Sequence, residues 1–218
     1  MKKIFILLLL TSWISIAKGQ ILYFSAGKTI SSFLYKNSEG VKLQNLRGAD
    51  HNTLCAGGLI PLSTSPLYLS LDATYQKYNA EGSDPVLGNY YAWQGSFLGA
   101  NLGLDYEIKT RRNRVNDERG LFFMIKTAVS AEFLLFGTQN INNMIYDLKG
   151  APEFDKPFYF LRGGFSVNYR VSRVYSVYLQ YMGGMSFLIG NYTNKERLQL
   201  ATHTVSVGMA FDLSNRMR

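Results

Sequence analysis

The feature that most constrains this chain is a strict alternation over residues 159–189. The odd positions of the first half are Tyr159, Leu161, Gly163, Phe165, Val167, Tyr169 and Val171. The even ones include Arg162, Gly164, Ser166, Asn168 and Arg170. Past Ser172-Arg173 the odd face reads Tyr175, Val177, Leu179, Tyr181, Gly183, Met185, Phe187 and Ile189, against Ser176, Tyr178, Gln180, Met182, Gly184 and Ser186. A period of two places successive side chains on opposite faces of a strand. Each run is longer than the usual five or six residues. Each reaches the roughly 9–11 residues that a tilted strand needs to cross a bilayer. The segment therefore predicts two long antiparallel strands with a tight turn between them.

The start of the chain fixes its compartment. Met1-Lys2-Lys3 precedes an almost wholly apolar stretch, 4–17, and Ala17-Lys18-Gly19 supplies small residues at a cleavage site. This is the pattern of a secretory signal peptide covering 1–19, with 20–218 as one mature domain. Its apolar core is too short for a spanning helix, and no later stretch reaches 18 apolar residues. Any membrane insertion must then use strands closed into a barrel, because lipid offers nothing to an open sheet edge.

Charge and cysteine content exclude several classes. The formal charge of +8 falls to about +5 once Lys2, Lys3 and Lys18 leave with the leader. No stripe of Lys and Arg interleaved with aromatics is present, so nucleic acid is not an expected partner. Mild positive charge suits anionic lipopolysaccharide or other negatively charged partners. Cys55 is the single cysteine, which rules out a disulfide framework, and it reads as a small buried residue.

Six further strands are read, with poor alternation in the first and an ambiguous facing in the second, which is rich in small residues. They are expected at about 21–35, 52–62, 67–79, 90–108, 121–138 and 198–213, with the opening pair at 159–171 and 175–189 as strands six and seven. The third places Leu67, Leu69, Leu71, Ala73 and Tyr75 against Tyr68, Ser70, Asp72, Thr74 and Gln76. The fifth opposes Leu121, Phe123, Ile125, Val129, Ala131, Phe133 and Leu135 to Lys126, Ser130 and Glu132. Residues 36–50, 80–88, 109–120, 139–157 and 190–197 read as loops or turns. Eight is an even count, and long connections alternate with short ones apart from 109–120. Both features fit a bacterial barrel with periplasmic termini.

A soluble lipocalin-like barrel would also alternate, with its apolar face inward. Three features favour the membrane version. The polar faces are rich in Gly, Ser and Asn and poor in the Lys and Glu that coat soluble surfaces. Tyr, Phe and Trp gather at strand ends, as in interfacial girdles. Most strands exceed the soluble norm in length. The last strand adds Ser206, Gly208, Phe211 and Leu213, a spacing that resembles the C-terminal signal read by the barrel-assembly machinery. That signal usually ends the chain, whereas residues 214–218 follow here.

In pattern, residues 20–213 resemble the small eight-stranded outer-membrane barrels of the OmpA/OmpX type and related porin-like domains. The resemblance implies an all-β, antiparallel up-and-down transmembrane barrel in the bacterial outer membrane, with lipid, lipopolysaccharide and the assembly machinery as partners. It implies no enzymatic activity and no cofactor.

The candidate site residues are the charges on the inward faces: Asp72, Asp105, Glu107, Lys126, Glu132, Arg162 and Arg170. Buried charges of both signs must pair or carry a desolvation penalty. They form either a plugging network or the lining of a narrow pore. The expected function is thus non-enzymatic: envelope structure, surface binding or narrow permeation. The alternatives are an outer-membrane lipid-modifying enzyme using His51, which Asp50 could orient, and a soluble periplasmic ligand-binding barrel. His203 falls on the lipid-facing parity. Gly27-Lys28-Thr29 lacks the earlier glycine of a phosphate loop, and no cluster has metal-ligand spacing. The apolar insert Met144, Ile145, Tyr146 and Leu148 is either an exposed contact site or a flap over the barrel mouth.

Overall fold

A computed structural model describes residues 20–36, 47–62, 65–83, 90–108, 120–150, 154, 156–187 and 197–213. The described chain forms nine strands: β1 (Ile21–Lys36), β2 (Arg47–Pro61), β3 (Leu67–Ser83), β4 (Tyr90–Ile108), β5 (Gly120–Ile141), β6 (Met144–Asp147), β7 (Phe158–Arg170), β8 (Tyr175–Phe187) and β9 (Arg197–Asp212). Every pairing is antiparallel between neighbours, and β9 returns to pair with β1 from Ile21↔Asp212 to Lys36↔Arg197. That ladder closes eight strands into a barrel; β6 pairs with the outer end of β5.

The barrel is inverted relative to a soluble protein. Leu161 and Val207 are each 62% exposed, and Phe24, Ile30, Leu98, Phe133, Phe165 and Leu179 share that outer surface. Thr29, Asn101, Ser130, Ser166, Asn168 and Ser206 are buried inside. Water would penalise such an outside heavily, whereas hydrocarbon would not. This arrangement removes the soluble alternative, which needs its apolar face inward.

One end carries the tight connections. Leu62 N donates to Leu67 O, and Val171 and Ser172 N both donate to Tyr175 O. The chain ends meet there at Ile21 and Asp212. In barrels of this kind it is the periplasmic end. Of the connections expected at 36–50, 80–88, 109–120 and 190–197, residues 37–46, 84–88, 109–119 and 190–196 lie outside the described residues, as does the leader, whereas 47–50 belong to β2 and 80–83 to β3.

Two segments differ from the sequence expectation. The stretch 139–157 is not one long loop. β5 runs on to Ile141, turns at Asn142-Asn143 and returns as β6. Both asparagines have positive φ, 49° and 69°, as a type I′ hairpin turn requires. Tyr90 N donates to Asn142 Oδ1, and Asn142 N donates to Tyr90 O, which ties the turn to β4. The alternation of β5 also breaks. Phe97 faces Leu134 and Ser96 faces Phe136, which leaves Leu135 as a bulge. Past it the parity reverses, so Phe136 is 58% exposed while Leu134 packs inward. A third difference concerns His51, expected at the end of a loop. It lies inside β2, opposite Thr29.

The interior has three layers. Tyr78, Ala80, Phe97, Phe158, Phe160 and Leu200 fill the outer end, capped by Leu148 and Phe154 from the segment after β6. Tyr23, Leu59, Phe122, Met124, Tyr178 and Ala210 fill the periplasmic end. Polar side chains occupy the middle.

Candidate functional site

Glu132 on β5 and Arg162 on β7 meet in the outer part of the polar layer. Arg162 Nη2 bonds Glu132 Oε1 and Tyr78 Oη, and its Nε donates to Ser130 Oγ at 3.1 Å. Tyr78 Oη donates to Glu132 Oε2 at 2.7 Å, and Gln76 Nε2 donates to the other oxygen at 3.4 Å. Both charges are thus paired and each carries further hydrogen bonds, the condition under which a buried ion pair is tolerated. Gly99 makes room for this group: a Cβ there would lie 3.0 Å from Glu132 Cγ and 2.5 Å from Thr74 Oγ1.

One layer below, Lys126 Nζ pairs with Asp105 Oδ2 at 2.5 Å, and Ser70 Oγ donates to Asp105 Oδ1 at 3.3 Å. Among the described residues, Asp72 takes no cation in direct contact. It accepts from Tyr23 Oη at 2.6 Å and from Asn101 Nδ2. Asn101 Oδ1 is buried without a partner. Asp72, Asp105, Lys126 and Arg162 line one small cavity of about 60 Å³, with Cys55 on its wall. That is room for about two water molecules.

The structure does not gather all seven sequence-selected charges. Glu107 and Arg170 line a separate cavity at the periplasmic mouth. There Tyr68 Oη donates to Glu107 Oε2 at 3.1 Å, and the Arg170 guanidinium stacks on Phe122 at 5.1 Å. Arg170 was expected in the lumen network; it sits at the mouth because it is the last residue of β7, where the barrel opens. Sequence reasoning missed Tyr78, Gln76, Tyr23 and Asn101. Their inward parity was legible, but the row on which each meets a charge depends on the stagger between strands.

Ser206 and Gly208 face inward on β9, and Phe211 lies on the outer face. Gly208 sits against the ring of Tyr178, which a Cβ would meet at 2.3 Å. Tyr178 Oη reaches Phe24 O across this spot at 3.4 Å.

His51 has no constellation suited to nucleophilic catalysis among the described residues. Its Nε2 is buried without a partner. Asp50 points to the other face, where it pairs with Lys28 at 3.0 Å. His203 faces outward and its Nδ1 lies 2.7 Å from Tyr181 Oη. Residues 27–29 are paired on both sides within β1. Among the described residues, no group of His, Cys, Asp and Glu is placed to hold a metal ion.

No protein-family model and no curated protein matches this sequence. Solved structures do. Neisserial surface protein A has 11% identity, covers 88% of this chain and 97% of its own, and superposes with a TM-score of 0.50. OprG from Pseudomonas aeruginosa has 10% identity over 90% and 97% of the two chains, with a TM-score of 0.49. The N-terminal barrel of OprF from the same organism has 12% identity over 87% and 97%, with a TM-score of 0.43. At these identities the likeness is one of fold. Together with the closed eight-strand ladder and the apolar outer face, it makes this chain a small eight-stranded outer-membrane β-barrel in fold.

Proposed function

We propose that this protein is a plugged barrel that holds a rigid binding hairpin above the outer membrane, rather than a pore. The observation that carries this reading is the stacking of three closures in one lumen. An aromatic cluster fills the outer end, two buried ion pairs cross the middle, and a second apolar cluster fills the periplasmic end. The polar cavity that the described residues line between them is about 60 Å³, too small for a hydrated ion with its shell.

The hairpin supports the binding half of the reading. Met144 and Ile145 are 65% and 72% exposed, and Tyr146 stands beside them. These are not the tips of a slack loop. Tyr90 clamps the turn from one side, and buried Leu148 pins the end, its N donating to Gly137 O at 3.0 Å. Large apolar side chains on a rigid, water-facing mount mark a contact surface.

Planar-bilayer recording tests the plugged state. The expected trace shows no ohmic steps from the purified, folded barrel. Stable unitary conductance would overturn the reading and restore narrow permeation.

A further inference from the structure

The lipid-facing side of the barrel is uniform except in one sector. The outward positions of β4, β5, β7 and β8 within the apolar band carry Leu, Ile, Val, Phe, Tyr, Met, Ala and Gly, with Thr127 as the sole other polar residue. Thr127 is satisfied within the wall, donating to Leu104 O at 3.2 Å. On β1, β2, β3 and β9 the outer part of the band is different. There Lys28, Asp50, Asn52, Lys77 and His203 all point outward, and Tyr181 of β8 joins them through His203.

These residues are neighbours. Lys28 pairs in register with Asn52 on one side and Val205 on the other. Ile30, two residues on, faces both Asp50 and His203. Gln76 of β3 pairs with Thr53, so the next residue, Lys77, stands on the far side of Asn52 from Lys28. A tilted strand climbs about 2.5 Å per residue. Lys28 then stands roughly 15 Å above Leu22, Lys77 roughly 25 Å above Leu67, and His203 roughly 20 Å above Phe211. In an apolar band about 25 Å tall, the sector runs from its upper half to the outer interface.

Charge on this face is costly unless partnered. Asp50 satisfies one lysine only. Lys77 has no ion pair among the described residues. The sector therefore presents two ammonium groups, one carboxylate, the Asn52 amide and the hydrogen-bonded side chains of Tyr181 and His203. Its excess of one positive charge matches a phosphodiester, and its height matches the headgroup layer. We infer that this sector is a binding site for the phosphate of an anionic lipid headgroup in the outer leaflet. Lys28 and Lys77 contact the phosphate, and Asp50 holds Lys28 in place. The inference rests on the membrane placement of the barrel and is independent of whether the lumen is plugged.

The test is native mass spectrometry of the folded barrel released from micelles holding equal amounts of phosphatidylglycerol and phosphatidylcholine. The wild type is expected to retain phosphatidylglycerol preferentially, one per barrel. Lys28→Ala with Lys77→Ala should weaken that retention by about thirtyfold, at about fivefold per lysine near a membrane surface. Lys149→Ala, an exposed cation in the segment after β6, should leave it unchanged. Lys28→Gln with Lys77→Gln keeps the apolar stems and serves if the alanine variant folds poorly. Undiminished retention in the double variant, equal retention of the zwitterionic lipid, or displacement of the lipid by inorganic phosphate would each overturn the site. Heat-shifted gel mobility is read in parallel. Its loss in the wild type would count against the membrane barrel itself, whereas a folded band without lipid counts only against this site.

Discussion

Arg162 of β7 and Glu132 of β5 pair at the centre of the barrel, with Glu132 fully buried and Arg162 only 7% exposed. Tyr78 of β3 bonds both partners, so three strands that are not all neighbours are tied through one group. Removing one partner leaves the other charge stranded. Arg162→Met is expected to destabilise the folded barrel by about 3–5 kcal/mol, while the double change Arg162→Met with Glu132→Gln recovers most of that loss. Urea titration of refolding into lipid vesicles measures both. A single variant as stable as the wild type would show that the pair is not buried as described.

The inverted surface makes a second prediction. Phe165 and Leu179 point outward near the middle of β7 and β8, at 54% and 52% exposure. Phe165→Arg or Leu179→Arg should each cost roughly 2–4 kcal/mol, the penalty for Arg or Lys at the bilayer midplane. Ser166 is 2% exposed on the opposite face, and Ser166→Ala should shift the same refolding midpoint by less than either. If the arginines were harmless and the alanine severe, inside and outside would be exchanged.

The difference between what was legible and what was not follows from how each property is encoded. Facing is local, since period two assigns each side chain to one side wherever a strand stays regular. It therefore holds from Leu121 to Leu135 and fails just past it, where the bulge reverses the parity and turns Phe136 outward. The hairpin was missed although its signal was present: two asparagines flanked by Ile141 and Met144 are a type I′ turn sequence. The polar character of residues 139–150 masked it, because strands that rise above the membrane no longer need an apolar face. The same masking makes His51 read as the end of a loop. Pairing inside the lumen is not local at all. Asp72, Asp105 and Glu132 share an inward parity, yet only the register places Lys126 against Asp105, only the reach of Arg162 from its place opposite Ala128 brings it to Glu132, and only position along β7 sends Arg170 to the mouth.

The turn itself is open to test without disturbing the barrel. Asn142 and Asn143 hold φ of 49° and 69°, a region that costs most residues about 1–2 kcal/mol each. Asn143→Val should loosen the hairpin by about that amount, whereas Asn143→Gly should leave it intact or firmer. Hydrogen exchange of the amides in β6, followed in the folded protein, reports this directly. Exchange in β7 and β9 should stay unchanged, because among the described residues β6 pairs only with β5. Equal exchange in both variants would mean the turn does not hold the strand.

Cys55 gives an independent reading of the sealed lumen. It is the chain's single cysteine, and it lines the small polar cavity between the two apolar clusters. A thiol there meets no bulky aqueous reagent while the barrel is closed at both ends. A maleimide carrying a polyethylene glycol chain should leave the folded, vesicle-inserted protein unmodified and label it after boiling in detergent. Phe97→Ala with Phe160→Ala removes two rings of the outer cluster, at about 3–5 kcal/mol each, and should raise the labelling rate from the outside by local opening. The ion-paired layer below remains, so the same variant should still show no stable conductance. Rapid labelling of the folded wild type would mean the outer cluster does not close the lumen, and both the plug and the proposed role would have to be given up.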